Sequence, residues 1–234
     1  MKLQFTVPQQ PDDESCGITC LQAVYKHYGF ETSAEALKHQ VVHWQKTGGT
    51  VGVNLARHAL AHDFSAEIYT YNIKVFDPTW SELPKETLLA KLKLRQKRVR
   101  SSRQKKEISF YLDFIKHGGT LRFDDLNEEL FRRLLASQRP VICGLSATYL
   151  YQSVRELSNN QENDVLGQPV GHFVVVSAYN AETHEVQIHD PLRRHPLSAT
   201  GTYSLPFQKF SNAVMLGILT YDANLVVIGK TGKP

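Results

Sequence analysis

The periodicity of the apolar residues changes at residues 139–140. Ahead of that Arg-Pro pair they recur mostly at helical spacing; behind it they alternate or run in short β-branched blocks. Helical patterns cover residues 16–28, 33–40, 53–62, 85–116 and 126–136, with one alternating stretch at 66–71. Residues 85–116 read as one long helix or as two broken near residues 100–102. Strand patterns cover residues 141–146, 172–179, 185–190, 213–221 and 225–228, and residues 214–228 read as a core hairpin. Helices first and strands later point to an α+β architecture of two lobes around a cleft. The expected division is a helical lobe over about residues 10–138 and a sheet lobe over about 139–230, in one domain spanning 1–234.

The first helix begins at a cysteine. Residues 10–29 read QPDDESCGITCLQAVYKHYG, and Ile18, Leu21, Val24, Tyr25 and Tyr28 repeat at helical spacing. Asp12, Asp13, Glu14 and Ser15 crowd its start, where acidic and capping residues satisfy free N–H groups. Gly29 falls where a helix end wants a left-handed residue. Cys16 therefore lies in the first turn, where the positive end of a helix favours a nucleophilic thiolate. Cys20 sits one turn further on. Helix neighbours hold their Cβ atoms about 5–6 Å apart, wider than the roughly 3.5–4.5 Å of a disulfide. Both are expected to be free thiols, and Cys143, in an apolar run, a core residue.

A lone cysteine is more often inert than catalytic. A second stretch changes the balance. Residues 171–191 read GHFVVVSAYNAETHEVQIHDP, two strand patterns joined by a turn-like segment. Folded as a hairpin about Ala181 or Glu182, they bring His172 roughly opposite Asp190. A carboxylate there can fix the imidazole tautomer and leave the other ring nitrogen for a thiol.

With Gln10 six positions before Cys16, these stretches resemble the papain-like cysteine peptidases of the bacteriocin-processing, double-glycine type and their stand-alone bacterial relatives. The similarity also takes in the helix pattern near residues 52–64 and the RPVI strand start at 139–142; it is weakest over residues 85–116. The resemblance implies a papain-like two-lobe fold with an antiparallel sheet lobe. It implies Cys16 as nucleophile, His172 as general base and acid, Asp190 as its orienter, and Gln10 as a donor to the oxyanion beside the Cys16 N–H. The reaction implied is hydrolysis of a peptide or related amide bond through a thioester, with no cofactor. Other readings stay open at this point: transfer of the acyl group to an amine, as in transpeptidases resembling phytochelatin synthase, or a peptide-binding module with an idle thiol.

Charge separates a further class. Nine Lys/Arg fall between Lys91 and Lys106 with no acid among them; setting those aside, acids outnumber bases 23 to 18. The basic character is one block, expected to be a solvated helical insertion beside the catalytic machinery. Aromatics are not interleaved with it, as stacking on bases would require, so nucleic acid is not the expected partner. His39/His43 and His58/His62 have the i, i+4 spacing used for zinc, but no glutamate or third ligand accompanies them, and no metal is expected. Residues 48–49 and 118–119 are double glycines, read as turn or helix-end residues; 46–50 reads as a loop. No apolar run approaches the ~20 residues of a membrane helix, and no signal-peptide core opens the chain, which points to the cytoplasm. Three cysteines do not make a disulfide framework. Oligomeric state leaves no mark in the sequence.

Overall fold

The computed structural model describes residues 3–43, 49–220 and 222–231. Most of the loop expected at 46–50, including Gly48, and Tyr221 lie outside them. Eight helices are described: α1 (Cys16–His27), α2 (Ala34–Gln40), α3 (Gly52–Ala61), α4 (Lys85–Arg98), α5 (Ser102–Lys116), α6 (Glu128–Ala136), α7 (Ala147–Tyr151) and α8 (Phe207–Leu216). Seven strands, β1 (Phe64–Thr70), β2 (Thr120–Arg122), β3 (Val141–Ser146), β4 (Gly171–Asn180), β5 (Glu185–His189), β6 (Thr202–Pro206) and β7 (Asn224–Lys230), form one sheet in the order β2-β1-β7-β3-β4-β5-β6. The α+β class and papain-like arrangement are as expected. The sheet is mixed, however, because β1 and β2 pair in parallel and come from the helix-rich half of the chain. The remaining pairings are antiparallel.

One expected strand is a helix. Residues 213–220 carry the end of α8 and a 3-10 turn over Gly217–Thr220, not half of a hairpin. The apolar face of α8 starts earlier, at Phe207 and Phe210, and continues to Ala213 and Val214 at helical spacing. A pattern read from residue 213 onward misses its first turn. Phe131 of α6 meets Phe207 and Phe210 edge-on at 5.6 and 5.2 Å, which fixes the two helices together. The last strand, β7, instead fills the gap between β1 and β3.

The basic block forms two helices, α4 and α5, broken at Val99–Ser101, with Ser101 accepting from the Gln104 N–H as an N-cap. Leu88, Leu89 and Leu92 of α4 and Ile108, Tyr111, Leu112 and Ile115 of α5 are buried, so this pair is part of the core and not a loose appendage. The double glycine at 118–119 follows the end of α5.

A buried acid pair lies where α5, α3 and β7 converge. Glu107 accepts from Asn72 Nδ2 at 3.0 Å. Asp222 accepts from the Gly52 N–H at 2.5 Å and from Asn224 Nδ2 at 2.6 Å. Burial, reinforced by the charge of Asp222, pushes Glu107 up to about 8. Burial likewise pushes Asp222 up to about 7, against its two hydrogen bonds. Unfolded carboxylates titrate near ~4. Both groups therefore fold best protonated: their stabilisation is complete below about pH 4 and is lost as pH rises through about 7–8. Each unmatched proton changes stability by about 1.4 kcal/mol per pH unit. Glu107→Gln, which keeps the acceptor for Asn72, should raise the melting temperature more at about pH 8 than at about pH 5. Parallel melting curves for the two proteins across that range would rule this out.

Candidate active site

Cys16 is the first residue of α1. Its helix start differs from expectation in one respect. Ser15 makes no side-chain cap and no acid lies in the first turn. Ser15 Oγ turns back to Asp12 Oδ1 at 2.6 Å, and Asp12 is held by Lys38 Nζ at 2.7 Å and by the Glu14 N–H at 3.0 Å. The acidic cluster thus ties the approach to α1 to α2. The positive end of α1 is left without a side-chain cap, an arrangement suited to an anion.

The helix approaches the sheet closely at β4. A Cβ added at Gly17 would come within 3.0 Å of the Phe173 ring and of Thr50 Cγ2. A larger residue would have to push the Phe173 ring and the Thr50 methyl aside, so glycine suits this close approach of α1 to the strand that carries His172. One turn later the Cys20 thiol donates to the Phe173 carbonyl at 3.4 Å, so the residue four positions after Cys16 anchors the same contact. All three cysteines are free. Cys20 and Cys143 are fully buried and burial drives both thiols well up; Cys16 is partly exposed.

His172 and Asp190 are brought together by an irregularity. Near the hairpin turn Asn180 pairs with Glu185 and Tyr179 with Val186, but beyond a bulge between Val176 and Ala178 the pairs are Val176 with Ile188 and Val175 with His189. Continued without the bulge, the first register would set Val175 against Asp190 and put His172 on the opposite face. The extra residue, Ser177, restores a common face. The sequence places His172 roughly opposite Asp190; in the register found the two are offset along the strands. The level of Asp190 is that of Val174, and the histidine reaches it diagonally. The contact is nonetheless made, with His172 Nε2 2.8 Å from Asp190 Oδ1. With Nε2 on Asp190, Nδ1 is the ring nitrogen left for the Cys16 sulfur, whose charge also acts on this imidazole. Burial alone would lower the His172 pKa; the charges of Asp190 and Cys16 and the bonds to both overcome it and raise the value.

Asp190 has more partners than the sequence reading gave it. Oδ2 accepts from Tyr151 Oη at 2.6 Å, Tyr203 Oη at 2.9 Å and His195 Nε2 at 3.0 Å, while Oδ1 also takes the Leu192 N–H at 3.0 Å. His195 Nδ1 accepts from the Leu197 N–H, which leaves the proton on the nitrogen that faces Asp190. Burial would raise this carboxyl, but the His172 charge and the surrounding donors hold it far below the usual carboxylate range. Tyr151, His195 and Tyr203 stand outside the GHF and Asp-Pro stretches. Sequence alone offered no pattern for them, since each comes from a different element.

Gln10 is 2 % exposed, and its Oε1 has no hydrogen-bond partner among the described residues. Its backbone is fixed on both sides, the N–H donating to Pro191 O at 2.8 Å and the carbonyl accepting from Arg193 Nε at 2.7 Å. The strand end that carries Asp190 therefore also seats Gln10.

His58 and His62 serve packing. His58 bonds Tyr25 Oη at 2.7 Å and Gln40 Oε1 at 2.9 Å and stacks on His62 at 4.1 Å; burial and His62 lower its pKa to about 4. His39 is exposed beside Glu35. Among the described residues no group of three His, Cys, Asp or Glu side chains could hold a metal ion, and no helix is long and apolar enough to cross a membrane.

Comparison with known proteins bears on the fold. Residues 4–97, a stretch holding Gln10 and Cys16 but neither His172 nor Asp190, match the Peptidase C39 family. A C39-like peptidase from Bacillus anthracis superposes with a TM-score of 0.50 at 15 % identity, covering 100 % of both chains. Two further similar structures score 0.47. One is a double glycine motif protease from an AMS/PCAT transporter in complex with its leader peptide, 14 % identical, covering 98 % of this chain and 94 % of that one. The other is the peptidase domain of Streptococcus ComA, a bifunctional ABC transporter, 12 % identical, covering 97 % and 100 %. Among curated proteins, a component of eukaryotic translation initiation factor 3 from Scheffersomyces stipitis is 26 % identical over 153 residues, 64 % of this chain; the match spans 19 % of that protein's length. The chain resembles the C39 double-glycine peptidases, in sequence over residues 4–97 and in its papain-like α+β fold over its full length.

Proposed function

We propose that the chain is a cysteine peptidase that cleaves a peptide or related amide bond through a Cys16 thioester. The observation that carries this reading is the bond from His172 Nε2 to the buried Asp190 carboxylate, with Cys16 acting electrostatically on the same ring from a helix start without a side-chain cap. In the proposed cycle the Cys16 sulfur adds to the scissile carbonyl and His172 takes up the thiol proton. The oxygen that becomes negative lies between the Cys16 N–H and the Gln10 amide. His172 returns the proton to the leaving nitrogen as the C–N bond breaks. Water, deprotonated by the same imidazole, then cleaves the thioester and frees the acid. Asp190 stays ionised and orients the ring throughout.

The test is thiol reactivity linked to turnover. Iodoacetamide at about pH 6 should alkylate Cys16 ahead of Cys20 and Cys143, read by peptide mass spectrometry. Cleavage of a peptide library should fall in proportion to Cys16 labelling, and His172→Ala should slow that labelling. Equal, slow labelling of all three cysteines would overturn the proposal, as would cleavage that survives complete alkylation of Cys16.

A further inference from the structure

The basic helix α4 carries an apolar groove on its outer side. The groove, about 330 Å³, is lined by Trp80, Lys91, Leu94, Arg95, Arg98 and Val99. Leu94, in the middle of the cationic stretch, is 57 % exposed. The three cations recur at i, i+4 and i+7, about 10 Å along one face of the helix.

An ordinary solvated helix face interleaves acids with its bases, because opposite charges three or four residues apart stabilise it and like charges destabilise it. This helix does the opposite. Its one acid, Glu86, lies in the first turn, while Lys91/Arg95 and Lys93/Lys97 set like charges four apart. Among the described residues no acid forms an ion pair with Lys91, Lys93, Lys97 or Arg98. The face combines an excess of positive charge, offset by Asp77 near Lys91 and Arg95 and by the Lys74 carbonyl that accepts from Arg95 Nη2, with an exposed apolar floor, and an acidic, apolar partner relieves what is left of both.

We propose that this face of α4 docks an acidic amphipathic helix of a partner protein. A Leu- or Phe-sized side chain fills the groove over Leu94 and Val99, and carboxylates at matching i, i+4, i+7 spacing meet Lys91, Arg95 and Arg98. Peptide recognition by an apolar groove with a charged rim follows the same physics elsewhere. A nucleic acid fits less well. Lys91 Nζ lies 5.7 Å from the centre of the Trp80 ring and covers a face on which a base would stack, and phosphates gain nothing from the apolar floor. The surface is separate from the Cys16 site, and the proposal does not depend on the peptidase reading.

The experiment is fluorescence anisotropy with the full chain and a fluorescein-labelled amphipathic peptide, Leu on one face and Glu at i, i+4 and i+7. Binding should weaken with added salt. It should also weaken at least about tenfold when the peptide leucines become serine, and at least about tenfold in Leu94→Glu or in Lys91→Glu/Arg98→Glu. Circular dichroism establishes that each variant is folded. Should Leu94→Glu disturb the helix, Leu94→Ser and the charge-reversal variant provide the same comparison. Absence of binding, or equal binding of the Leu→Ser peptide, would overturn the proposal. So would tighter binding of a single-stranded RNA of equal charge that is indifferent to Leu94.

Discussion

Asp190→Asn should lower the turnover of a cleavable peptide by roughly 10²–10⁴, towards the loss seen when the orienting carboxylate of a serine-protease triad becomes an amide. The environment of Asp190 explains why an isosteric change should matter this much. Oδ1 accepts from His172 and the Leu192 N–H, and Oδ2 from Tyr151, Tyr203 and His195. Asparagine must place an NH₂ at one of these positions. On the Oδ1 side it would meet two N–H groups that point at it. On the Oδ2 side the tyrosine hydroxyls can rotate to accept, but His195 cannot, because its other nitrogen is engaged by the Leu197 N–H. A buried donor left without an acceptor costs about 1–3 kcal/mol, so a fall in melting temperature should accompany the kinetic loss. The readout that separates orientation from stability is Cys16 alkylation. It should slow in the folded variant, because His172 loses the negative charge that stabilises its protonated form. Undiminished turnover and labelling in folded Asp190→Asn would show that Asp190 does not orient the histidine.

The parts of this site that could be read from the sequence are those with local signals. Helical spacing and a C-terminal Gly29 at φ 77° located α1, and with it Cys16. The β-branched run after His172 located β4, and alternation located β5. Register was harder. The bulge at Ser177 decides whether His172 and Asp190 share a face, and nothing in the local alternation marks it. The donors around Asp190 were harder still. Tyr151 ends a five-residue helix, His195 sits in a loop and Tyr203 is on an edge strand. Their convergence exists only once β3, β5 and β6 are in one sheet. The misread of residues 213–221 has the same origin: an apolar run of ambiguous period is settled by what it packs against, here Phe131 and β3.

Gln10→Ala should slow peptide cleavage by about 10²–10³ while leaving iodoacetamide labelling of Cys16 nearly unchanged. The two reactions use the same nucleophile but differ in charge. Amide attack creates an oxyanion that needs donors; alkylation displaces iodide at carbon and creates none. Gln10 is proposed for the first task alone. Its side chain is buried, its backbone is held by Pro191 and Arg193, and its amide oxygen is paired with no protein group among the described residues. The oxygen is an acceptor only, so the donor in this proposal is the Nε2 amide group of the same side chain. In the proposed site the helix start at Cys16, which has no side-chain cap, would supply the complementary N–H. The loss should fall mainly on kcat, since the donor acts on charge that develops only in the transition state. Gln10→Glu should be at least as slow, because a carboxylate in the same place repels the oxyanion. A Gln10→Ala protein that cleaves peptide at the parent rate would remove Gln10 from the oxyanion site while leaving Cys16 as the nucleophile. A loss of labelling equal to the loss of cleavage would instead mean that Gln10 acts by positioning α1.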